Sequence, residues 1–134
     1  MKWCDNKMMT GPFYVLVLNE AEYHKAMRRM RVPKRERPAW VNPGSRGTVT
    51  KLTNEEGELA VIVAVEVSEQ DDQLAVFGIL VHEAVHVFQI WCEHIGEREP
   101  SSEFEAYSIQ KIAQELMTHY ATRTNMAFQL PGSV

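Results

Sequence analysis

Leu80-Val81-His82-Glu83-Ala84-Val85-His86 is the stretch from which the rest of the chain is best read. A helix turns about 100° per residue, so His82 and His86 fall about 40° apart, one turn above the other, and both imidazoles can reach one ion. Glu83 lies about 100° from His82 and about 60° from His86. That is a poor position for a third ligand beside them and a good one for taking a proton from a water in front of them. Two neutral imidazoles with a carboxylate suit Zn2+, a borderline ion that keeps one position open. The bland alternative is two satisfied histidines on a buried helix.

The flanking sequence predicts that helix. Ser68 followed by Asp71 resembles a capping box, with acids beside it, so a helix is expected over residues 69–95, ending at Gly96 as a left-handed cap. Its apolar residues cover most of the circumference, which predicts a buried central helix. Burying His82, Glu83 and His86 there is costly without partners, and a metal would supply them. Gly78, one turn before His82, is either a tolerated glycine or an opening over the site. After a polar loop, Ser101 or Ser102 caps a last helix over residues 103–122, with Ile109, Ile112, Ala113, Leu116, Met117 and Tyr120 on its buried face. Its first turn carries Glu103 and Glu105. Either can bring in the separate carboxylate that a site with two histidines needs, and periodicity does not choose between them.

The preceding half reads as strands and one helix. Residues 13–18 form an apolar strand after Gly11-Pro12, and Asn19 caps a helix over residues 20–30 that buries Tyr23, Ala26, Met27 and Met30. Residues 28–37 hold six Lys/Arg and one Glu, with Pro33 and Pro38 stopping the helix. This is a solvated connection or a docking patch for an anion, nucleic acid or protein. Residues 48–53 and Leu59–Val65, joined by a turn at 54–58, predict an antiparallel hairpin whose second strand is buried on both faces. Residues 1–12 and 125–134 are expected to fray.

At 134 residues the chain predicts one domain, residues 1–134, of α+β class, with a small mixed or antiparallel sheet packed on the motif helix and a following C-terminal helix. The net charge of −4 gives no bulk attraction to nucleic acid or lipid, so neither nucleic acid nor membrane is an expected partner. The charge is uneven: residues 1–70 carry 11 Lys/Arg against 9 Asp/Glu, and residues 71–134 carry 3 against 9. Cys4 and Cys92 do not suggest a disulfide framework, and Cys92 reads as a small buried hydrophobe. With no leader-like start and no apolar run of bilayer length, a cytoplasmic location is expected.

H-E-x-x-H followed by a helix bearing E-x-x-A resembles the glutamate-type zincin metallopeptidases. Ser102-Glu103-Phe104-Glu105-Ala106-Tyr107 is similar to the S-x-E-F-E-A-D helix of the CAAX-prenyl-protease type and to the E-x-x-A-N helix of phage-repressor-cleaving metalloproteases. The match covers about residues 78–113. The resemblance implies a zincin-like fold, Zn2+ held by His82, His86 and Glu103, Glu83 as general base, and a peptide or protein substrate. This chain has Tyr107 where those families carry Asp or Asn. Tyr107, His119 and Tyr120 are the candidates for stabilising charge on the substrate oxygen, Tyr107 offering a phenol near the site. Two other readings stay open: a zinc-binding module of zincin fold without turnover, and a binding module that uses residues 28–37.

Overall fold

The computed structural model describes Trp3–Asp5 and residues 13–124. In chain order these form β1 (Trp3–Asp5), β2 (Phe13–Val17), α1 (Glu20–Arg29), a short 3-10 turn at Lys34–Glu36, β3 (Gly47–Thr53), β4 (Leu59–Val65), α2 (Gln73–Ile95) and α3 (Ser102–Arg123). One mixed sheet runs in the order β1-β2-β4-β3. β2 and β4 are parallel, with Val15 opposite Ile62, and β3 pairs antiparallel with β4, with Thr50 opposite Ile62. β3 is therefore an edge strand.

Alternation along the two central strands builds two cores. Val15, Val17, Ile62 and Ala64 face α1, where they meet Tyr23, Ala26 and Met27. Tyr14, Leu16, Val61, Val63 and Val65 face α2 and α3, where they meet Val76, Leu80, Val87, Ile112 and Leu116. The unbroken apolar runs reflect this double burial. The chain is thus an α and β protein with helices on both faces of a small mixed sheet.

Several expectations are corrected. Trp3–Asp5, expected to fray, pairs antiparallel with β2, Trp3 opposite Val15; residues 125–134 lie outside the described residues. Leu18 follows β2 rather than ending it. α2 begins at Gln73, four residues later than residue 69, because the expected capping pair closes only a single turn ahead of the helix, from Ser68 to Asp71. The Asp71 carboxylate accepts from the Ser68 N–H and the Arg46 guanidinium, while Asp72 caps the helix by accepting from the Leu74 N–H at 3.0 Å. Gly96 closes α2 with φ 76°, as expected. α2 is long and apolar enough by length and composition to cross a bilayer, yet its buried side is the core of this fold. It is not buried all round: Ala75, Gly78, His82, His86, Gln89 and Glu93 form an open stripe at helical spacing, and Leu74 is 77% exposed.

Asn19 caps α1 through the Glu22 N–H at 2.9 Å, and Glu22 ties α1 to the rest of the fold. Its carboxylate accepts from the Leu18 N–H and from Arg123 at the end of α3, and Arg123 also donates to the Leu16 carbonyl at 2.8 Å. Burial alone would raise the Glu22 pKa, but the Leu18 N–H and the Arg123 guanidinium overcome it, leaving the carboxyl below its ordinary value. A lowered folded pKa stabilises above the ordinary carboxylate value, and that contribution is lost as pH falls through the folded pKa. Glu22→Gln is therefore expected to cost on the order of 1 kcal/mol in chemical denaturation near pH 7. The gap to the wild type should shrink steadily below about pH 4.

Candidate functional site

The motif sits mid-helix, and the helix presents its three functional side chains in two directions. His82 and His86 are exposed on the open stripe, whereas Glu83 is 5% exposed and turned toward the sheet edge. Burial of all three, expected from the apolar character of α2, is corrected to burial of Glu83 alone. The stripe escapes cover because α3 packs on the other flank of α2, through Phe104 on Phe88 and Tyr120 on Phe77.

The two imidazoles converge. Their Nε2 atoms are 3.2 Å apart, with ring centroids 4.8 Å apart and the planes inclined at 73°. Two nitrogens bound to one tetrahedral zinc at about 2.05 Å stand about 3.3 Å apart. The spacing therefore fits two ligands of a single ion. Gln89, one turn beyond His86, stands with its Oε1 3.0 Å from His86 Nδ1. An amide oxygen in that place favours the His86 tautomer with its proton on Nδ1, which leaves the Nε2 lone pair for a metal.

β3 runs alongside this stripe. Gly47 lies against Glu83, and Lys51 pairs with Glu93 at 3.8 Å. Four strand residues and ten helix residues span about 13 and about 15 Å, so strand and helix keep pace. Between them opens a cleft of about 380 Å³ bordered by Ser45, Arg46, Gly47, Gly78, His82 and Glu83. Burial raises the Glu83 pKa above its ordinary value, a shift the His82 and His86 charges only partly oppose. A carboxyl that holds a proton more readily than usual, beside two converging imidazoles, suits a proton acceptor.

The first turn of α3 does not complete a metal cage. Glu103 and Glu105 are exposed, and Tyr107 is 60% exposed. Among the described residues, no three His, Cys, Asp or Glu side chains are grouped so as to hold a metal ion. Ser108, Ile112, Ala113, Leu116, Tyr120 and Ala121 define the buried line of α3. At 100° per residue Glu105 lies roughly 30° from that line and Glu103 roughly 130°. Glu105 is accordingly the one whose charge, after burial and with Glu97, helps raise the Cys92 thiol pKa. Cys92 itself is free and buried, as expected. His119 is partly buried, and Tyr120 is buried beside Phe77, bordering a separate cavity with Ser68 and Asp71.

Sequence reasoning missed Arg46, Gly47 and Gln89. Gln89 was legible as a polar residue at i+3 from His86. The other two, Arg46 and the first residue of β3, come from 35 or more positions away, and nothing local marks their approach. Comparison with family models, with curated proteins and with solved structures returns no match.

The two glycines of the cleft should respond oppositely to alanine. A Cβ on Gly47 would stand 2.6 Å from Glu83 Oε1 and 3.1 Å from Ile79 Cγ2, whereas one on Gly78 meets nothing within 4 Å. Gly47→Ala is expected to destabilise by about 1–3 kcal/mol, and by clearly less in a Glu83→Ala background. Gly78→Ala is expected to stabilise by about 0.5–1 kcal/mol. Denaturant titrations of the four variants check both signs.

Proposed function

We propose that this chain is a zinc-dependent peptidase of zincin-like fold. The observation that carries the proposal is the 3.2 Å approach of two Nε2 atoms beside a buried carboxylate with a raised pKa. His82 and His86 would hold the ion. By the family resemblance Glu103, with Glu105 as the alternative, would supply the third protein ligand, although both are exposed and neither is grouped with the imidazoles in this structure. Zinc would contribute a lowered water pKa, near 7, and polarisation of a carbonyl.

The remaining steps belong to the chain's own groups. Glu83 takes a proton on its carboxylate as water attacks the peptide carbon, and returns it to the leaving amine as the C–N bond breaks. Burial beneath β3 keeps that carboxylate from being levelled by bulk water. The free edge of β3 offers backbone N–H and C=O groups to an extended substrate, which would hold a peptide along the cleft. Tyr107, the phenol the sequence offered for charge on the substrate oxygen, lies roughly 170° from the buried line of α3 and points away from α2.

The outward Glu103 and Tyr107 favour a second reading, a zinc-binding module of the same fold without turnover. Glu83→Gln separates the two. With a dye-labelled unstructured protein as substrate, the peptidase reading predicts that the wild type hydrolyses it. The variant is expected to keep its zinc and to lose at least about 100-fold in rate. Undiminished hydrolysis by the variant would contradict the role given to Glu83. Zinc binding without hydrolysis in the wild type would favour the second reading.

A further inference from the structure

The face of the sheet opposite the cleft carries a concentrated positive charge. Residues 23–37 hold seven Lys/Arg against one Glu, in a chain whose net charge is −4. Lys25, Arg28 and Arg29 share the outer side of α1, Arg31 follows its last turn, and Lys34 and Arg35 sit on the 3-10 turn. All six are exposed, and none of them forms an ion pair among the described residues. Arg37 behaves differently: it is partly buried and spends its guanidinium on the Val32 carbonyl and His24.

Arg31 adds a second, independent observation. The Val32 N–H bonds to the Met27 carbonyl and the Arg31 N–H to the Arg28 carbonyl, the bond pattern that closes a helix through a left-handed residue. Arg31 occupies that position with φ 61°, the one described non-glycine residue at positive φ. Glycine takes this conformation without the steric penalty an L side chain meets. Gly96 ends α2 in the same role, whereas an exposed arginine stands here, two and three positions after Arg29 and Arg28.

We propose that Arg28, Arg29, Arg31, Lys34 and Arg35 form a docking surface for the phosphate backbone of duplex nucleic acid. Four of the five are arginines, whose planar fork matches phosphate oxygens. An anionic membrane fits less well, because the apolar face of α1 (Tyr23, Ala26, Met27) is already used on the sheet. None of the large exposed hydrophobics falls within residues 18–41. The net charge that argued against nucleic acid averages over two unlike faces. Since α1 and α2 lie on opposite sides of the sheet, a bound duplex leaves the cleft open.

The test is binding of a fluorescent 20-base-pair DNA duplex to the intact protein, followed by anisotropy across a salt series. Five phosphate contacts predict a slope of log K on log[salt] of about −4.5, a loss of about 500-fold between 50 and 200 mM salt. The R28Q/R29Q/R31G variant should flatten the slope by about 2.7. Arg31→Gly alone should flatten it by about 0.9 while raising the thermal midpoint, which separates lost contact from lost folding. Binding should be the same with and without a zinc chelator, so the result is independent of the metal reading. No binding at 50 mM salt, or binding undiminished in the triple variant, would overturn the proposal. Tighter binding to polyglutamate or to anionic vesicles than to the duplex would also overturn it.

Discussion

Helix α2 rests on the sheet through Val76, Leu80, Ala84, Val87 and Trp91, and that seating fixes everything the site can do. With this side against Tyr14, Val61 and Val63, the helix has no freedom to rotate without exposing its core residues. Its remaining flanks are then assigned. One meets α3 through Phe88 and Phe104, and one meets the edge strand β3 through Glu83 and Gly47. What is left is the stripe that carries His82, His86 and Gln89. A rotation of one residue, about 100°, would bury a histidine and expose Glu83.

That seating has an electrostatic cost at Glu83. A carboxylate turned under a strand is desolvated, and its pKa rises. Gly47 makes the arrangement sterically possible, because any side chain there would enter the space of Glu83 Oε1. An ion held between the neighbouring imidazoles would add compensating positive charge. Burial of Glu83 is thus a local cost that the fold carries at the cleft.

Much of the fold was legible because it rests on short-range pattern. The apolar runs of β2 and β4 announced burial on both faces, Asn19 and Gly96 marked helix ends, and H-E-x-x-H fixed the mutual placement of its own side chains through helix geometry. The parts that were not legible depend on distant segments. Ser68 and Asp71 do bond as a capping pair, but they close a single turn that Arg46, 25 positions earlier, also binds, and the helix starts only after Asp72. The open stripe on α2 follows from where α3 packs; its small and polar residues recur at helical spacing, but the apolar residues covering most of the circumference read as burial all round. Periodicity left Glu103 and Glu105 unresolved because the buried line of α3 is centred away from the one its large apolar residues suggest; Ser108 and Ala121 are buried too. The same limit hid Arg31, whose left-handed conformation no composition rule reveals.

The central claim is that His82 and His86 are two ligands of one metal ion, and zinc content tests it most directly. The purified protein, supplied with zinc and then dialysed, is compared with its His86→Ala variant by elemental analysis. About one zinc per chain in the wild type and none in the variant is the predicted result. A wild type that retains no zinc, or a variant that retains as much, would contradict the account and return the pair to two histidines hydrogen-bonded to each other on an exposed helix face.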